Sequence, residues 1–220
     1  MRKDEERRMQ NYLAVDTSGN HLSVVACKNG VAHTVYLPNC AMKHAVSLMP
    51  AVEEALLKAD MALSDCDFFA AVVGAGSFTG IRIGISAVKG FALAFNKPTL
   101  AVTSFDVIAY DDLETRAEKT LCLVDALHDA YYVCGYQGEE VCYPPAYLME
   151  EEVLALGKEG YVLRACTELP IQEKMALTLS NACEGLKKAV ERLATLGRFG
   201  ELTALYVRKS SAELNLENKA

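Results

Sequence analysis

A continuous apolar run at residues 68–73 passes directly into Gly74-Ala75-Gly76-Ser77-Phe78-Thr79-Gly80 and then into a helix-periodic stretch reaching about Phe95. This strand, glycine turn and helix leave few folds open to the chain. A buried strand that feeds a long helix instead of a hairpin must cross over to a parallel neighbour. Asn96-Lys97-Pro98 stops the helix, and residues 99–102 supply that neighbour as another short buried strand. Upstream the pattern is antiparallel. Residues 12–16, 21–27 and 31–37 read as three strands, joined by the turn residues Thr17-Ser18-Gly19-Asn20 and by Asn29-Gly30, whose positions tolerate positive φ. Between the two halves of this pattern, residues 44–59 carry Leu48, Val52 and Leu56 at helical spacing, with Pro50 predicting a kink or a start.

The order βββαβα, followed by a further strand, predicts an α/β fold with a mixed sheet of the ribonuclease-H type. The second half is more weakly patterned. Strands are expected at 121–125, 131–136 and 141–143, a break at Pro144-Pro145, and helices at 150–156 and 176–196. No internal repeat is visible. Residues 111–119 (DDLETRAEK) are the least apolar part of the middle and divide a first subdomain, 11–111, from a second, 112–220. Residues 1–10 are highly charged and read as a solvated extension.

Composition closes off several functions. Lys plus Arg number 22 against 29 Asp plus Glu, a net charge of −7, and no basic cluster is dense enough to track a phosphate backbone. Direct tight binding of nucleic acid is therefore not expected. Charge breaks the apolar stretches within about a dozen residues, short of a membrane span. None of the 8 cysteines is spaced as a metal or redox pair, and Cys122 and Cys134 lie in apolar runs, where a free thiol behaves as a small hydrophobe. With no apolar signal at the N-terminus, a reduced, cytoplasmic protein is expected.

Chemistry is sparse. The glycine loop is not a Walker loop, since no Lys-Ser or Lys-Thr pair follows it, and it misses the dinucleotide fingerprint by one residue. It reads either as an anion cradle at a helix N-terminus or as a tight strand-to-helix turn. Asp16 ends the first strand, where ribonuclease-H-like enzymes place an acid facing metal or phosphate. It reads equally as a turn-forming acid bonded to nearby amides. A nuclease needs several converging carboxylates, but Gly74 ends the fourth strand, Asp125 is distant and Glu53 and Glu54 lie on a helix flank. His21, His33, His44 and His128 contain no pair at metal-ligand spacing, which disfavours a zinc protease. In the long helix, Gly80, Gly84 and Ala87 form a run of small residues, fit either for close packing on the chain's own sheet or for a partner helix. Arg82 suits a partner carboxylate or phosphate through its fork of donors, or is a solvated helix charge.

The segments D16TSGNHLSVV, K43HAVSLMP, G74AGSFTGIRIGISAVKGFALAFNKP98 and L205YVR together resemble the TsaB (YeaZ) family of accessory subunits in tRNA threonylcarbamoyladenosine synthesis. Members usually have Gly-Pro-Gly where this chain has Gly74-Ala75-Gly76. The resemblance covers about residues 11–110 and resumes at 205–208. It implies an actin/Hsp70-like ATPase fold of two subdomains, a catalytic partner and paralogue (TsaD), and a TsaE-like ATPase as third subunit. It also implies that ATP and a divalent metal belong to partner subunits, with no cofactor or metal in this chain and tRNA reached only through the complex. The paralogue places two metal-binding histidines four residues apart where this chain has Ser104 and Ile108. The family further implies that the helices near residues 44–59 and 78–95 pack on the matching pair of the partner, or of a second copy. That picture makes His44, Leu48, Ser77, Phe78, Thr79, Gly80, Arg82 and Gly84 interface residues, with Asp16, Thr17 and Ser18 as a vestigial nucleotide site. The alternative expectation is an autonomous ATP-using enzyme of the actin/sugar-kinase class, with the Asp16 turn at the phosphates.

Overall fold

β1 (Tyr12–Asp16) is buried from end to end, as a central strand covered on both faces must be. The structure, a computed structural model, describes residues 10–111 and 119–208. Most of the charged extension and of the segment expected to divide the subdomains lies outside them. β1 pairs antiparallel with β2 (Leu22–Lys28), which pairs antiparallel with β3 (Val31–Leu37). Asn29 (φ 53°) and Gly30 (φ 81°) make that turn in the left-handed region. On its other side β1 runs parallel to β4 (Phe68–Val72), and β4 parallel to β5 (Thr99–Val102), giving the order β3-β2-β1-β4-β5.

Alternation along β1 assigns the two faces. Leu13 and Val15 point into a core with α1 (His44–Lys58) and α2 (Phe78–Phe95). Tyr12 and Ala14 point into a second core, with α3 (Ser104–Tyr110) and α5 (Ala182–Thr195). Cys122, Cys134 and Tyr136 of the second half close that second core from the far side, so α3 and α5 lie between two sheets. Although α2 is long and apolar enough to cross a membrane by length and composition, its inner stripe of Ile81, Ile85, Val88 and Ala92 packs on the sheet. Pro50 does not start α1; the helix runs through it with the ring on the exposed side.

The second sheet contains β6 (Thr120–Asp125), β7 (Ala130–Gln137), β8 (Glu140–Met149), β9 (Val162–Ala165) and β10 (Leu177–Leu179), with α4 (Glu150–Lys158) between β8 and β9. Its order is β10-β9-β6-β7-β8, with β6, β7 and β8 antiparallel and β6, β9 and β10 parallel. Strand for strand this repeats the first sheet. The sequence shows no repeat because only the backbone plan is duplicated: between β9 and β10 a short 3-10 turn, Pro170–Glu173, stands where the first half has the 18-residue α2. Two ribonuclease-H-like sheets around a shared helical layer form the actin/Hsp70-like ATPase fold.

Two sequence expectations are corrected, and one helix was not foreseen. The helix expected over 176–196 begins only at Ala182, where the Asn181 side chain accepts from the backbone N–H groups of Cys183 and Glu184. Pro144-Pro145 does not end the strand; β8 continues through both, because it is an edge strand whose outer N–H groups need no partner. Residues 103–110 form α3, opened by a reciprocal cap. The Asp106 amide donates to Thr103 Oγ1 at 3.0 Å, and the Thr103 amide donates to Asp106 Oδ2 at 2.8 Å. Beyond α5 the chain returns to the first sheet. Gly200 donates to the Thr99 carbonyl (2.9 Å) and Leu205 to that of Val73 (2.7 Å).

Candidate functional site

The β1–β2 turn, the glycine loop, the start of α3 and the β6–β7 turn of the second sheet meet around a cleft of about 620 Å³. Asp16 stands in its wall, buried, and both oxygens of its carboxylate have partners. Oδ1 accepts from the Ser18 amide (2.8 Å) and hydroxyl (2.7 Å), and Oδ2 lies 3.2 Å from His21 Nε2. The turn is stitched to the glycine loop as well. Ser77 N–H donates to the Ser18 carbonyl at 2.7 Å, and Thr17 Oγ1 donates to the Gly80 carbonyl at 2.7 Å. Asp16, Thr17 and Ser18 are thus brought together, as a closed hydrogen-bonded circle in which Asp16 takes the turn-forming role.

Burial works to raise the Asp16 carboxyl, but the hydrogen bond and charge of His21, with both Ser18 bonds, outweigh it and hold it below the ordinary value. Burial works to lower His21, and the Asp16 bond and charge reverse this and hold it above the ordinary value. The sign of the linkage follows. The Asp16 contribution to stability is present above pH 3.8 and fades as pH falls through the depressed value. The His21 contribution is complete below pH 6.5 and fades as pH rises through the elevated one. Urea midpoints measured between pH 6 and pH 8 should therefore decline in the native chain, a decline that the neutral donor of His21→Gln removes.

The expected partner residues divide. His44 and Leu48 are buried, and His44 Nε2 lies 2.9 Å from the His21 carbonyl oxygen, so both face the chain's own core. Gly80 and Gly84 are buried too. A Cβ on Gly80 would stand 2.0 Å from the Thr17 carbonyl oxygen, and one on Gly84 2.5 Å from Thr17 Oγ1. Their small size admits the β1–β2 turn, the close packing within the chain that was one of the two readings of this glycine run. Ser77 caps α2 by accepting from Gly80 N–H (3.2 Å). Thr79 is exposed. Phe78 stacks on Tyr206 at 4.5 Å, and Arg82 Nε donates to the Tyr206 hydroxyl at 2.9 Å, so Arg82 has an internal acceptor as well as an exposed position.

The outer layer of α1 and α2 shows what the sequence reading missed. Val46 (74% exposed), Leu57 (81%) and Leu93 (86%) present apolar side chains to solvent, with Met49 beside them on α1. Gly90, exposed in the interior of α2, has no heavy atom within 4 Å of where a Cβ would be. It costs about 1 kcal/mol of helix propensity against alanine, and nothing inside the chain requires it. The signal available in the sequence was the spacing of residues 46, 49 and 57, a second apolar stripe that flanks the one of Leu48, Val52 and Leu56.

At the cleft, α3 presents Ser104 and Ile108 one turn apart. Ser104 Oγ donates to the Ala75 carbonyl (2.6 Å) and lies 3.0 Å from Ser18 Oγ, while Ile108 offers no donor atom. A hydroxyl already bonded and an alkyl chain do not fit a divalent ion. Among the described residues no three His, Cys, Asp or Glu side chains converge as a metal set.

Comparison with known proteins follows this geometry. A family profile described as TsaD, tRNA N6-adenosine threonylcarbamoyltransferase, matches residues 35–213. The chain is 30% identical over 129 residues to the tRNA threonylcarbamoyladenosine biosynthesis protein TsaB of Escherichia coli K12, covering 58% of this chain and 55% of that one. It is 34% identical over 97 residues to TsaB of Bacillus subtilis 168, covering 44% and 42%. The chain spans about half the length of the curated relatives it matches. Among solved structures, YeaZ from Pseudomonas aeruginosa superposes with a TM-score of 0.72 at 27% identity, covering 90% of this chain and 100% of that one. A second structure, of a protein described as similar to peptidase YEAZ from the same organism, gives 0.77 at 29% identity, covering 91% and 100%.

Proposed function

Because the chain belongs to the TsaD family, on its TsaB/YeaZ side, we propose that it is a non-catalytic scaffold and activator subunit for threonylcarbamoylation of tRNA adenosine 37. It acts by dimerising with a TsaD-like catalytic paralogue. The observation that carries this reading is on α3. Ser104 and Ile108 stand where the resemblance gives the paralogue two metal-binding histidines, and neither is available to an ion. The exposed apolar layer of α1 and α2 supports the pairing. Scattered exposed apolar residues are ordinary, but Val46, Met49, Leu57 and Leu93 share one helical layer. In this reading ATP and the divalent ion belong to the partner subunits, and a TsaE-like ATPase joins the assembly. This subunit works in the cytoplasm, tRNA meets it only through the complex, and without its partner the same layer fits a second copy of the chain. The alternative, an autonomous ATP-using enzyme, needs Asp16 available to a metal–phosphate group, and its oxygens are already bonded.

Mixing the purified chain with its cognate TsaD-like subunit should give a stable complex, with modified adenosine formed only when both are present. Calorimetry of the chain alone should show no heat of ATP binding. Absence of a complex at micromolar concentrations overturns the scaffold reading, and ATP turnover by the isolated chain establishes the alternative.

A further inference from the structure

The Asp16 corner has a feature that the pairing function leaves unexplained. His21, at the start of β2, is nearly fully buried and points Nε2 at Asp16 Oδ2 (3.2 Å). Several contacts fix the ring there. It stacks on Tyr36 (centroids 5.5 Å apart, planes at 27°), and its own carbonyl accepts from His44 Nε2 (2.9 Å). Its other nitrogen, Nδ1, is buried with no hydrogen-bond partner. Gly19 is the residue that leaves room for it, since a Cβ there would press on Nδ1 and Cε1 at 3.2 Å. An unpartnered buried nitrogen costs on the order of 1–3 kcal/mol. The arrangement accepts that cost and holds the ring against the one carboxylate in the cleft wall that is both buried and acidic.

A nucleotide's divalent ion takes one or two carboxylates plus phosphate oxygens and keeps several waters. Here Asp16 Oδ1 is occupied by two Ser18 donors and Oδ2 by the His21 imidazole, which lies beside it in the cleft wall. The residues present do not fit a metal–nucleotide. We infer that His21 is a resident plug: its ring takes the Asp16 oxygen and the space that a metal-bound nucleotide would need, and so closes the cleft to that class of ligand. This deepens the non-catalytic reading, on which it rests, by naming the side chain that enforces it.

The test uses Mn2+·ADP as probe and manganese relaxation of water protons as readout. The native chain should show no saturable binding. His21→Ala should gain affinity by roughly tenfold or more, the scale on which neighbours of a metal-binding carboxylate act. The double variant Asp16→Asn/His21→Ala should lose that gain. His21→Gln, which keeps a donor beside Oδ2, should behave as the native chain. Equal binding by the native chain and His21→Ala, or a folded His21→Ala without gain, overturns the inference. If His21→Ala does not fold, the native chain decides alone. Its His21 ring resonances should stay unmoved as Mn2+ is replaced by diamagnetic Mg2+·ADP and titrated, and a saturable shift overturns the plug. Pairing of the native chain with the TsaD-like subunit is measured in parallel. Its failure counts against the scaffold reading and leaves the cleft result standing.

Discussion

Arginine at position 90 is expected to abolish pairing with the TsaD-like subunit while the chain itself stays folded. Gly90 is exposed, and nothing within 4 Å would meet its new Cβ. Relief of the glycine penalty favours the helix by about 1 kcal/mol. At an interface, a charged chain projecting from the middle of α2 would hold the two helical layers apart. Disruption of a central contact costs on the order of 2–4 kcal/mol, roughly 30- to 1,000-fold in affinity. Sedimentation of the mixture, beside a thermal melt of the variant alone, checks both halves. An unchanged complex removes Gly90 and its neighbours from the interface. Leu57→Glu, at an exposed position of α1, should act in the same direction. Gly84→Arg is the wrong probe, since Gly84 packs on Thr17 and its replacement reports on folding.

The opposite behaviour is expected ten residues earlier. Gly80→Ala should destabilise the chain by roughly 3 kcal/mol, toward the upper end for overpacking. That lowers the melting midpoint by about 6–12 °C in a protein of this size. Propensity alone would favour alanine; the 2.0 Å approach to the Thr17 carbonyl oxygen reverses the sign, because that atom is backbone. Gly84→Ala meets only the Thr17 side chain, at 2.5 Å from Oγ1. Thr17→Ala should therefore recover part of the Gly84→Ala loss and none of the Gly80→Ala loss, a difference that a double-mutant cycle resolves. A Gly80→Ala protein that melts above the native chain would refute this packing.

The first sheet was legible because its signals are local. The Asn29-Gly30 turn, the apolar run at 68–73 and the glycines that follow each act within a few residues. The second sheet was not, because what holds it is remote. β9 is fixed by β6, about forty residues earlier. The cap at Asn181 outweighs helical periodicity that extends upstream to 176. α3 went unread although Thr103 and Asp106 carry the capping pattern, since seven residues are too few for periodicity to register. At the cleft, the pairing of Asp16 with its turn was visible from sequence. The engagement of His21 was not, because it depends on the direction of the ring. The surroundings of the expected interface residues were not legible either: periodicity identifies a helix face but does not say whether the sheet or the solvent lies against it. Gly84 and Gly90 look alike in the sequence, and only the position of Thr17 separates them.

The return of α5 and of residues 199–208 to the first sheet makes that sheet discontinuous along the chain. Leu186, Ala189 and Val190 supply part of the core beneath Tyr12 and Ala14, and the Leu100–Phe199 bridge covers the flank of β5. On the ribosome, the first five strands would emerge with one apolar side covered only by α3 until α5 has left the exit tunnel. The nascent chain thus passes through a period of sticky exposure in which a holdase has something to bind. A fragment cut after residue 111 would stay in that state permanently, so the half of the molecule that carries α1 and α2 cannot be harvested as an independent module.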